Sequence, residues 1–208
     1  MARPSLSTAN LYEVSQRCAE VFIASGGAGA TVPRLAVAAR MSERTFYRYF
    51  PTKEDCLRPL FDDGIRRYAA ALADLAVPGD PGVAITRAVE ATFADEDDVH
   101  TRALMATVFD DPALRRVWLQ ASYEAAHLLR PSVAALIGAE SDDIRISVLS
   151  SQAALLIVVA MEHLVRYGTP MHEAVRDAAR AMFGPPAEEP APQQNHATPA
   201  DAAANREE

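Results

Sequence analysis

Thr31-Val-Pro-Arg-Leu-Ala-Val-Ala-Ala-Arg-Met-Ser-Glu-Arg-Thr-Phe-Tyr-Arg-Tyr-Phe50 is the stretch that decides the fold. Leu35, Ala36 and Ala39 make one inward face, and Phe46 and Phe50, one helical turn apart, make a second. Small alanines let two short helices cross closely, and Met41 fills the turn between them. Thr31 and Ser42 stand at the two N-cap positions, Pro33 is tolerated in a first turn, and Pro51 stops the second helix. With the inward positions taken, Arg44, Thr45, Tyr47 and Arg48 point outward or flank that face. A duplex major groove accommodates such a helix: arginine pairs guanine O6 and N7, and hydroxyls reach phosphates. Lys53 is expected in the first turn of the next helix, where exposed N–H groups and the helix dipole favour an anion.

Outward from this segment the chain reads as helix throughout. Leu11, Val14, Cys18, Val21 and Phe22 recur at helical spacing and predict a helix over 8–25, ended by Gly26-Gly27-Ala28-Gly29. The short helices are expected at 31–39 and 43–49, and Thr52 caps a longer one over 53–76. After the Val77–Pro81 break, helices are expected at 82–94, 99–109, 112–137, 142–167 and 170–183, with Pro131 kinking or splitting the third. Leu155–Val159 is the one run of strand-like composition, and it sits inside a breaker-free window too long for a strand. From Gly184 onward the chain has five prolines and no large apolar residue, so 185–208 is expected to be a disordered tail. The fold class is therefore all-α: a helix-turn-helix head at 1–52 with its motif at 31–50, a helical body at 53–183, and a tail at 184–208.

Composition supports this division. The chain has 208 residues, half of them hydrophobic and 23% charged, which fits a globular protein. The net charge of −8 is unevenly spread: residues 1–60 hold eight basic and five acidic side chains, and residues 61–208 hold twelve and twenty-three. A basic head on an acidic body fits a polyanion-binding module joined to a part with another task. All the cations are arginine except Lys53. The longest uncharged apolar run, 153–161, is far short of the roughly 20 residues of a membrane span. The N-terminus lacks an apolar signal core, so a reduced cytoplasmic location and no membrane partner are expected.

Other motifs read blandly. Cys18 and Cys56 form no CxxC and read as small core hydrophobes. The 26–29 glycine cluster follows no strand and precedes no GKS or GKT, so it reads as a turn and not a nucleotide loop. His100, His127, His163 and His172 lack ligand spacing, and Asp95–Asp98 lacks the glycine and distal glutamate of a calcium loop. No catalytic spacing is visible and no cofactor or metal is expected, which reads as a non-enzyme; a small helical enzyme would need a constellation hidden from this sequence.

The head resembles the TetR (tetracycline-repressor-like) transcriptional regulators. The resemblance is carried by Ala19, Phe22, Gly26, Thr31-Val32, Leu35-Ala36, Ala39, Ser42, Thr45, the run Phe46-Tyr47-Arg48-Tyr49-Phe50-Pro51-Thr52-Lys53-Glu54, and Leu57. It implies phosphate contacts from Thr31, Tyr47 and Lys53, base or groove contacts from Ser42, Arg44, Thr45 and Arg48, and a DNA-binding place for Arg34. Two positions depart from the family pattern: Arg40 stands where glycine is usual and so must turn left-handed, and Gly27 replaces an aromatic, which should loosen the junction of helix one with helix two.

The 142–167 helix is apolar on nearly every face, so its simplest burial is half against its own core and half against a second copy; a purely intramolecular central helix is the alternative. The resemblance implies a four-helix dimer interface, with Leu149, Leu156, Val159 and His163 as its residues. It also implies a ligand cavity between 82 and 137, for which Phe93, Met105, Phe109, Trp118, Tyr123 and His127 are the candidates and a lipophilic effector the expected ligand. The function implied is a ligand-responsive, homodimeric repressor on a palindromic double-stranded DNA operator. The alternative is a helical ligand-binding or signalling module without DNA contact.

Overall fold

The computed structural model describes residues 7–93 and 99–184, and among them only helices, turns and loops occur. Helix α1 spans Thr8–Ser25; the Ser7 hydroxyl accepts the Asn10 N–H, and Gly26 at φ 63° ends the helix. Helices α2 (Val32–Ala38) and α3 (Glu43–Tyr49) follow as the two short pieces of the motif. Arg40 sits between them at φ 55°, the sole non-glycine residue with positive φ among those described. The turn keeps its left-handed geometry without the usual glycine.

The helix expected from Lys53 starts differently. Glu54–Leu57 forms a 3-10 turn, and helix α4 runs Arg58–Asp74. Pro59 is the cause: it has no N–H to give to the Asp55 carbonyl, so an α-helix cannot pass through this point without losing that bond. Thr52 still caps, as its hydroxyl accepts the Asp55 N–H at 3.3 Å while the Asp55 carboxylate accepts the Thr52 N–H at 2.8 Å. The orphan N–H of Leu60 is taken by the buried Ser15 hydroxyl of α1 at 3.2 Å.

The body comprises α5 (Pro81–Phe93), α6 (Val99–Asp110), α7 (Pro112–Ile137), α8 (Ile144–Tyr167) and α9 (Met171–Phe183). Pro131 does not split α7, which runs unbroken through it. The carbonyl that Pro131 cannot bond belongs to His127, and both residues are exposed, so water can satisfy it. Helix α7 is the centre of the body, packed on α4, α6 and α8, and α9 closes over α5 and α8. Tyr68, Leu114, Leu129, Leu156 and Leu164 are among its fully buried side chains. Burial pushes the Tyr68 phenol well above its usual range.

Head and body share one continuous core through α1 and α4. Gly27, the glycine expected to loosen the junction of α1 with α2, lies against the body. Gly27, at φ 69°, is buried, and a Cβ there would lie 3.1 Å from Asp111 and 3.5 Å from Thr107, at the α6–α7 corner. The expected acidic loop at 95–98 and the expected tail at 185–208 lie outside the described residues.

Candidate nucleic-acid interface

Helix α3 is anchored from behind. Phe46 is fully buried and Phe50 nearly so, and their rings lie 5.1 Å apart. They pack with Phe22, Leu35, Cys18 and Cys56 into the head's core. Both thiols are free, and burial raises that of Cys56 far above its usual range. The side of α3 away from this core holds the expected polar set. Ser42 accepts the Thr45 N–H at 3.2 Å and donates its hydroxyl to Thr45 Oγ1 at 3.0 Å, which leaves the Thr45 hydroxyl proton directed elsewhere. Tyr47 is half-exposed, braced by an edge-on contact with Phe46 at 6.1 Å. Arg44 and Arg48 are exposed, and the Arg48 guanidinium lies 5.0 Å over the Tyr49 ring.

On α2, Thr31 is exposed and makes no capping bond with its side chain, so its hydroxyl is open to another acceptor or donor. Arg34 is exposed too and donates to the Ser25 hydroxyl at 2.9 Å. Lys53 stands apart from the rest. Its ammonium donates to the carbonyls of Ala30 at 2.8 Å and Ala28 at 3.2 Å, and lies 3.9 Å from the Glu54 carboxylate. It follows no α-helix N-terminus, since only the short 3-10 turn begins there. Two of its three N–H groups close the loop between α1 and α2, and one remains for an anion.

Two positioning residues escaped the sequence reading. Arg17 of α1 donates to the Ala38 carbonyl at 3.0 Å, placing a cation at the C-terminal end of α2. Ser15 holds the start of α4, as described above. Their partners lie 21 and 45 positions away, so no local spacing announces either contact. A third tie joins α4 to α7: Arg58 bonds Asp62 at 2.6 Å and also Glu124, whose carboxyl is held below its usual range by Arg58 and Gln120.

Behind the head lies a cavity of about 270 Å³. Phe93, Met105 and Trp118 line it as expected from sequence. Phe109 does not line it but stacks behind Trp118, with ring centroids 5.1 Å apart. Tyr123 and His127 lie outside it on the exposed face of α7, paired edge to face at 6.3 Å. The expected interface residues on α8 also separate. Leu149 and Val159 are half-buried and His163 is exposed, but Leu156 is fully buried in its own core. Its neighbour Leu155 is 50% exposed, in line with Ile144 at 73% and Val148 at 51%. The expected face is thus one residue out of register at this point.

Comparison with known proteins bears on this geometry. Residues 18–60 match the profile of the bacterial regulatory proteins, tetR family. A protein from Mesorhizobium loti MAFF303099, assigned to the TetR family of transcriptional regulators, superposes with a TM-score of 0.54 at 15% identity, over 86% of this chain and 97% of its own. At that identity the likeness is one of fold. PfmR, a TetR-family transcriptional regulator from Thermus thermophilus, matches with a TM-score of 0.47 at 17% identity, over 82% of this chain and 96% of its own. No curated protein matches the chain. The profile lies across α1 to the start of α4 and takes in the exposed cations and hydroxyls of α3, so the head is similar to that of the tetR family and the chain shares the fold of a TetR-family regulator.

Proposed function

We propose that this chain is a DNA-binding transcriptional regulator that works as a homodimeric repressor in the cytoplasm, reading a palindromic operator and releasing it when a small molecule fills the body. The observation that carries the DNA reading is α3, which keeps Arg44, Tyr47 and Arg48 outside a helix held rigid by Phe46 and Phe50. In this reading Arg44 and Arg48 reach base edges with Ser42 and Thr45, and Thr31, Arg34, Tyr47 and the remaining N–H of Lys53 reach phosphates. Two such heads related by a two-fold axis require a palindromic site. The second copy is supplied by the exposed apolar stripe Ile144, Val148, Leu155 on α8, with Leu149, Val159 and His163 flanking it.

A helical ligand-binding module without DNA contact is the competing reading, and nothing about the cavity opposes it. The α3 surface does, because such a module has no use for it. The deciding experiment is a mobility shift with duplex from upstream of the chain's own coding region, repeated across salt concentrations. A retarded band whose affinity falls steeply as salt rises is expected. Absence of binding at low ionic strength would leave only the competing reading.

A further inference from the structure

The cavity is not confined to the body. Its wall includes Tyr12, Gln16, Ala19 and Glu20 of α1, which recur at helical spacing on one side of that helix. The neighbouring side of α1 carries Cys18 and Phe22 into the head's core beside Leu35. One helix therefore forms both a wall of the cavity and the base on which α2 and α3 rest. The rest of α1's surroundings hold it against the body: Ser15 bonds Leu60, Glu20 lies 3.5 Å from His100, and the loop after α1 meets Asp111 at Gly27.

The lining divides by chemistry. Phe93, Leu104, Met105, Trp118, Ile157 and Met161 make an apolar floor. The acidic and basic lining groups, Glu20, His100 and Arg67, have side chains about half exposed or more, so they belong to the mouth. The volume falls just under the ~300–1,000 Å³ of ordinary drug-sized pockets. A charge driven onto the floor would meet no counter-ion there.

We propose that this cavity takes a small uncharged molecule, aromatic or aliphatic, with a single polar end left at the mouth, and that the bound molecule touches the head's own first helix. This deepens the ligand-responsive reading above and rests on it. Occupancy then acts on the head through α1 by direct contact. Because coupling is reciprocal, operator DNA and ligand change each other's affinity by the same factor.

Trp118 is the chain's single tryptophan and lies in the wall, so its emission reports occupancy. The probe is N-phenyl-1-naphthylamine, an uncharged aromatic amine, compared with its sulfonated analogue 8-anilino-1-naphthalenesulfonate on the full-length protein. Energy transfer from Trp118 to the neutral probe is expected, with the sulfonate binding about 10-fold or more weakly. Tyr12→Ala and Gln16→Ala are expected to weaken the neutral probe about 3- to 10-fold each while thermal melting shows both variants folded. Absence of transfer, or equal affinity for the sulfonate, overturns the ligand class. Unchanged affinity in both α1 variants overturns the contact with the head. A protein that binds the probe in this way but never binds duplex DNA fails the regulator reading instead, so the two failures are distinguishable.

Discussion

Helices α3 and α8 each leave large side chains exposed to solvent, but of opposite kinds. The α3 surface presents two arginines, a tyrosine and hydroxyls over a phenylalanine base. The α8 surface presents Ile144, Val148 and Leu155 over a leucine and alanine core. Polar groups at fixed spacing can read a partner position by position, whereas exposed aliphatics can only be covered. In the proposed function the two faces take different partners, a patterned polyanion for one and a copy of the chain for the other. Length and composition alone would also let α8 cross a membrane, but its buried residues are accounted for by packing on α7 and α9.

The sharpest way to break this contrast is to charge adjacent residues of α8. Leu156→Glu places a carboxylate in the core and is expected to unfold the protein, a loss of about 4 kcal/mol or more. Leu155→Glu, one position away, should keep its melting temperature and run as a monomer by sedimentation. If both behave alike, α8 has no separate outer face. On the α3 side, Phe46→Ala removes the base under the polar surface and should cost about 3–5 kcal/mol, seen as early melting of the head by hydrogen exchange. Arg44→Ala should leave stability unchanged and cost about 1–3 kcal/mol of binding at one base position per half-site. Equal losses on all sequences would make Arg44 a phosphate contact.

Lys53→Ala tests a residue whose chemistry belongs to both loop and anion. Losing its bonds to Ala28 and Ala30 should cost about 1–2 kcal/mol of head stability. A phosphate role adds a salt dependence flatter by about one unit, and an unchanged slope would confine Lys53 to the loop. The smallest effect is expected at Glu124. Its folded pKa is lowered, so its tie to Arg58 is intact above the usual carboxylate range and is lost as pH falls through the depressed value. Acid titration should therefore loosen α4 from α7 only below the usual carboxylate range, and Glu124→Gln should abolish that step.

Much of the head was legible because its determinants are local. Phe46 and Phe50 declare an inward face by their spacing alone, whereas the left-handed turn at Arg40 followed from the family resemblance, which places glycine there. The exceptions arose where a distant residue intervened. Lys53 looked poised at a helix start, but Pro59 moves that start and the α1–α2 loop captures the ammonium. In the body, periodicity placed the helices but not their rotation. Leu155 and Leu156 are equally apolar, and only the packing of α7 and α9 decides which faces inward. Tyr123 and His127 were chosen for their chemistry, yet the turn of α7 directs both outward while Trp118 faces the cavity.

Gly27 seats the loop after α1 directly against the body. Any side chain there meets both a strained backbone at φ 69° and the Asp111 side chain at 3.1 Å, so even one methyl group forces one of the two to shift. In the proposed dimer, substitution at this position would offer a means of setting how far apart the two heads stand before any ligand arrives, without altering a residue proposed to meet DNA or ligand.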